Sequence, residues 1–83
     1  MNQNYSEAIR ILEKIVSQVL KREITNINME MTALDIQGWD SLNHVQIIYF
    51  CEKELGVQFP IKDIQDLNTI GDLVRLINNY LLK

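Results

Sequence analysis

A chain of 83 residues, 47% hydrophobic and with a net charge of −3, has room for one domain and one core. A chain this small buries only roughly 60–65% of its unfolded surface, which leaves no depth for a catalytic cleft beside that core. Its eight basic residues form no patch for phosphate backbones, which excludes a nucleic-acid partner.

The charge is unevenly spread. Residues 1–28 carry +1 and residues 61–83 balance, while residues 29–60 carry −4 from Glu30, Asp35, Asp40, Glu52 and Glu54 against Lys53. A basic protein surface suits that acidic middle. The longest apolar run, Ile47–Cys51, is far short of the ~20 residues of a membrane span, so none is expected. "MNQNYSEAIR" lacks the basic stretch and apolar core of a signal peptide. The lone Cys51 reads as a small buried residue in a reducing compartment, and a cytoplasmic location is expected.

In chain order, Ala8, Leu12, Ile15, Val16, Val19 and Leu20 recur at helical spacing and predict a helix from Ser6 to Arg22, opened by Asn4 or Ser6. From Asn26 to Trp39 no period holds, and Met29, Met31, Leu34 and Ile36 are expected to pin a long loop to the core. A second helix is expected over Ser41 to Leu55, with Leu42, Val45, Ile48, Cys51, Glu52 and Leu55 at spacings of three and four, ended by Gly56. "VQFP" turns the chain, since Phe59 before Pro60 is biased away from helix, and a short third helix follows over Ile61 to Asp66. Thr69-x-x-Asp72 is a capping box for a fourth helix, with Ile70, Leu73, Val74, Ile77 and Leu81 in one stripe. No repeat or low-complexity tract interrupts this pattern. The expected fold is all-α: a small four-helix bundle with a long loop between helices 1 and 2 and a short third helix.

Chemistry concentrates in "GWDSLNHV", Gly38 to Val45. Ser41 and His44 could meet on one helical face, but a hydrolytic site also needs an acid behind the imidazole and an oxyanion hole. Neither is legible here. The single His and single Cys, seven residues apart, make no metal site. Two readings of Ser41 stay open at this point: a helix N-cap, or a hydroxyl to which something is attached.

"GWDSLNHVQII" resembles the modification motif of acyl and peptidyl carrier proteins, in which Asp-Ser-Leu opens the second of four helices. The resemblance spans nearly the whole chain: "LGVQFP" is similar to the family's hydrophobic link and "TIGDLVRLI" to its last helix. It implies that residues 1–83 form a single stand-alone carrier domain, not an enzyme, with a 4′-phosphopantetheine arm donated by coenzyme A on Ser41. The arm's thiol would hold cargo as a thioester, leaving Cys51 to the core. The implied partners are a phosphopantetheinyl transferase, an acyl- or aminoacyl-loading enzyme and a downstream acyl transferase or synthase. The carrier itself would be a monomer.

By position, Asp40 becomes an acid read by the transferase as well as a local cap, and Leu42 an apolar contact for partners. Trp39 is either a recognition handle or a plug holding the loop. His44 and Tyr49 face the arm or a partner, and Glu52 is one of the few acids left on the second helix. That helix departs from fatty-acid carriers, offering Asn43, Gln46 and Lys53 where acids are common. Ile64 and Leu73 stand where such carriers often have alanine. Both departures favour a specialised biosynthetic pathway and short or polar cargo over a housekeeping fatty-acid role. A non-covalent helical interaction module, or a carrier relic with Ser41 unmodified, remains as the rival.

Overall fold

Why α1 (Ser6–Leu20) forms is plain from its inner face, where Ala8, Leu12, Ile15 and Val16 are all buried. In this computed structural model residues 4–82 are described; Met1–Gln3 and Lys83, part of the expected 1–83 domain, lie outside the described residues. Asn4 Oδ1 accepts from Ser6 N at 2.9 Å, so Asn4, not Ser6, serves the helix entrance. The helix stops before the expected Arg22. Lys21 adopts the left-handed conformation, φ 59°, and its amide bonds to the carbonyl of Ser17. The reason lies just beyond, where Ile24 and Ile27 are buried and must fold back onto α1. Ser17 Oγ accepts from Ile24 N at 2.9 Å, and Glu13 Oε2 accepts from Ile27 N at 3.1 Å. Burial of two isoleucines, with their amides satisfied by side chains of α1, outweighs extending the helix to Arg22.

The long loop is therefore pinned differently from expectation. Ile24, Ile27, Ile36 and Trp39 are buried and Met29 and Met31 partly so, whereas Leu34 is 96% exposed. Leu34 belongs to a 3-10 turn, Ala33–Asp35, which Asp35 Oδ2 closes by accepting from Thr32 N at 2.9 Å. The turn points Leu34 outward so that Ile36 can point in. Across the bundle, Ile70 N donates to Met31 O at 2.8 Å, stitching the loop to the start of the last helix. At Gly71 a side chain would have no room, because a Cβ there would lie 2.2 Å from Met29 O.

The remaining helices are α2 (Ser41–Leu55), α3 (Ile61–Gln65) and α4 (Ile70–Leu81). Among the described residues there is no strand, as an all-α bundle requires. On α2 the expected stripe divides. Ile48 and Cys51 join the core together with fully buried Ile47, but Leu42 and Val45 are 69% and 65% exposed. At 100° per residue Leu42, Val45 and Tyr49 share the outer face, so apolar spacing by itself did not reveal which side the helix buries. Gly56 ends α2 in the left-handed conformation, as expected, its amide donating to Glu52 O and Lys53 O. Glu52 Oε2 accepts from Phe59 N at 2.7 Å and fixes the turn that buries Phe59. α3 stops one residue before the expected Asp66, which is its C-cap.

The capping box of α4 forms as read. Thr69 Oγ1 accepts from Asp72 N at 3.0 Å, and Asp72 Oδ2 accepts from Thr69 N at 3.0 Å. Backbone hydrogen bonds from Asn68 and Thr69 hold the Asp72 carboxyl below the ordinary aspartate range. α1, α2 and α4 enclose a core whose fully buried members include Leu12, Val16, Ile47, Cys51, Leu73, Val74 and Ile77. Among the described residues no helix is long and apolar enough to cross a membrane.

Candidate functional site

The entrance to α2 is built by a sharp turn. Gly38 sits at φ +96°, a conformation that excludes most side chains, and Asp40 N donates to Gly38 O at 3.0 Å. Asn43 Nδ2 returns from the first turn of the helix to the same carbonyl at 2.7 Å. Asp40, in extended conformation, is the N-cap, with Oδ1 accepting from Asn43 N at 2.8 Å. Ser41 is the first helical residue and exposed, and its hydroxyl makes no hydrogen bond among the described residues. Of the two readings of Ser41, capping therefore falls to its neighbour. Because Asp40 serves the Asn43 amide and its carbonyl takes the His44 amide, the Ser41 and Leu42 amides remain open at the positive end of the helix.

Trp39 and His44 meet behind the serine. Trp39 Nε1 donates to His44 Nδ1 at 3.0 Å, with the ring centroids 6.1 Å apart. Since Nδ1 accepts, the neutral imidazole carries its proton on Nε2. Burial lowers the His44 pKa from its ordinary 6.5 and favours that neutral form. Trp39 is 8% exposed. His44 bonds to Trp39, not to Ser41, so no Ser–His pair exists for hydrolysis.

Beside Ser41 lies an apolar groove of about 700 Å³, walled by Ala33, Leu34, Trp39 and Val45, with Asp40 and His44 at its polar edge. Of the residues singled out from sequence, Trp39, Asp40, Ser41 and His44 converge here. Val45, one turn past Ser41, could have been placed here by its four-residue spacing. Ala33 and Leu34 come from the long loop and gave no such signal. Leu42 and 56%-exposed Tyr49 lie on the outer face of α2, and Tyr49 borders a separate depression near Gly56 and Val57. Glu52 is half-buried and occupied by the Phe59 amide. Cys51 is fully buried, and burial first, then Glu52 and Glu54, push its thiol up to about 12.

At this helix start an unengaged hydroxyl, with no base bonded to it, opens onto an apolar groove. Residues 10–77 match the family model described as a phosphopantetheine attachment site. An acyl carrier protein of Clostridium perfringens is 35% identical over 69 residues, 83% of this chain and 91% of the relative. One of Clostridium acetobutylicum is 30% identical over 69 residues, covering 83% and 90%. The solution NMR structure of the holo acyl carrier protein from Geobacter metallireducens superposes with a TM-score of 0.80 at 31% identity, covering 90% of this chain and 86% of that one. The chain belongs to the acyl carrier protein family, whose members are built around a phosphopantetheine attachment site. It is a non-catalytic carrier that tethers acyl groups through phosphopantetheine.

Proposed function

We propose that Ser41 carries the 4′-phosphopantetheine arm, joined to it through a phosphodiester when a phosphopantetheinyl transferase acts with coenzyme A. The observation that carries this reading is the division of labour at the helix entrance. Asp40 does the capping, and Ser41 Oγ, exposed and unengaged, stands at the mouth of an apolar groove. The site fits the group. Open amides of Ser41 and Leu42 suit a phosphate at a helix N-terminus, and the groove offers apolar walls beside it. When bound, the arm supplies a thiol that holds an acyl or aminoacyl group as a thioester. Buried Cys51 takes no part in that chemistry. The chain's own contribution is to fix the attachment point and to raise the cargo's effective concentration at each partner enzyme.

Its partners read the outer face of α2. Leu42, Val45 and Tyr49 are exposed there among Asn43, Gln46 and Lys53, and Glu52 is tied to the backbone. Such a face favours short-range apolar contact over long-range steering, which supports a carrier dedicated to a specialised pathway. Leu73 is buried, supporting short or polar cargo. Ile64 is only partly buried and supports it less.

Incubation with coenzyme A, magnesium and a broad-specificity transferase should add the mass of one arm to the wild type and nothing to Ser41→Ala. A wild type left unmodified by several transferases would favour the interaction-module reading, and labelling that persists in Ser41→Ala would move the site.

A further inference from the structure

Two spaces meet at the Trp39–His44 pair. One is the surface groove beside Ser41, about 700 Å³; the other is a half-enclosed pocket of about 80 Å³ that runs under Leu67, Asn68, Thr69, Ile70 and Leu73. Both are lined by Ala33, Trp39 and His44. The indole–imidazole hydrogen bond of 3.0 Å thus belongs to the wall of both, joining the long loop to α2. The backbone of each residue is fixed from its own side. Trp39 N donates to the carbonyl of buried Ile36 at 3.2 Å, and His44 N to Asp40 O at 2.8 Å.

We propose that Trp39 and His44 form a hydrogen-bonded shutter that keeps cargo in the surface groove and out of the bundle, and so selects short acyl groups. The inference rests on Ser41 being the attachment site, since only an arm beginning there reaches the groove first. Passage from the groove inward across this wall parts the two rings and leaves a mostly buried indole N–H without an acceptor. The space behind is small: its 80 Å³ is about half of the roughly 150 Å³ cavity that takes a benzene. A long chain would also have to displace Leu73, which is 1% exposed. Short cargo meets neither obstacle. It can lie on Ala33, Leu34 and Val45 without opening anything.

The test loads wild type, His44→Ala and Trp39→Phe with acetyl, butyryl or octanoyl phosphopantetheine from the corresponding coenzyme A thioesters, and checks each by intact mass. Cleavage of the thioester by hydroxylamine then reports shielding. In wild type the three cargoes should be cleaved at equal rates, with no rise of the thermal midpoint as the chain lengthens. In His44→Ala, where groove and pocket merge, octanoyl should be protected about tenfold relative to acetyl, the effect of burying roughly two methylenes. Trp39→Phe keeps an aromatic ring but loses the N–H together with the fused five-membered ring, so thermal unfolding first checks that it is folded; it should show protection of the same sign. Length-dependent protection in wild type would show cargo passing the intact pair and overturn the shutter. Flat behaviour in both variants would overturn it as well. Failure of loading itself, seen in the mass step before any cleavage, would instead refute the attachment at Ser41, and the shutter with it.

Discussion

Gly71→Ala is the sharpest single test of how the long loop is held. The added Cβ would lie 2.2 Å from Met29 O, 3.0 Å from Met29 C and 3.2 Å from Met29 Cα. All three are backbone atoms, so no side-chain rotation relieves the contact, and an ordinary separation is roughly 3.5 Å or more. The loop must retreat by about an ångström, yet Ile70 N holds it at Met31 O across 2.8 Å. Overpacking of this kind costs ~1–3 kcal/mol, and losing the hydrogen bond a further ~0.5–1.5 kcal/mol. Against this, alanine gains at most ~1 kcal/mol in helix propensity over glycine. Sterics win. The expected net destabilisation is ~1–3 kcal/mol, a large fraction of the ~4–12 kcal/mol that a domain this size possesses. Urea unfolding should show a lower midpoint with an unchanged slope, and the emission of Trp39, the single tryptophan, should move to the red as its end of the loop loosens. A variant as stable as wild type, with unshifted emission, would refute a loop fixed against α4.

Asp40→Ala should cost ~0.5–2 kcal/mol of stability by thermal or urea unfolding, and Ser41→Ala should stay within about ±0.5 kcal/mol, because Asp40 is the cap. Cys51 should resist a thiol reagent in the native unloaded protein and react only on unfolding, its thiol being buried and pushed up to about 12. A fully arm-loaded sample should show one additional thiol that reacts without unfolding. For His44 the folded pKa lies below 6.5, so between the two values the unfolded chain binds more protons and stability rises with pH towards 6.5. Urea midpoints should therefore fall as pH drops from neutral through that window, by less in His44→Asn than in wild type; equal slopes would contradict the burial of a neutral imidazole. In transfer assays with the cognate enzyme, Leu42→Ala and Tyr49→Ala should each lower the rate about tenfold or more, with little dependence on salt, as expected for desolvated apolar anchors.

Helices α1, α2 and α4 were legible because each signal was local and redundant: buried periodicity from Ala8 to Val16, Gly56 as a stop, and the Thr69–Asp72 box. What misled were the places where tertiary burial decides. Arg22 was given to α1 because the pull of Ile24 and Ile27 comes from packing against residues upstream, to which helical spacing is blind. Leu34 was read as a pin because an apolar residue in a loop usually is one, and only the 3-10 turn reveals that Ile36 takes that part. On α2 an apolar residue occurs on every face, so sequence could not separate Ile47, which is buried, from Leu42 and Val45, which are not. The low contrast of that helix is informative in itself. An outer face that is apolar without being core is what the proposed reading of α2 by partners requires.

The candidate site was half legible for a related reason. Asp40 and Ser41 could be named because both are preferred at helix starts, but the same preference made their roles look interchangeable. The structure separates them by one position. At the cap, Asp40 turns its carboxylate back onto the Asn43 amide. One residue on, Ser41 has helical backbone and a hydroxyl that no amide of its own turn requires. Exchanging the two would commit the hydroxyl to the cap and leave none free at the first helical position. The order Asp then Ser thus satisfies the helix and leaves the hydroxyl unengaged, as the proposed attachment requires, beside a groove assembled from a loop whose Ala33 and Leu34 no local pattern could have placed there.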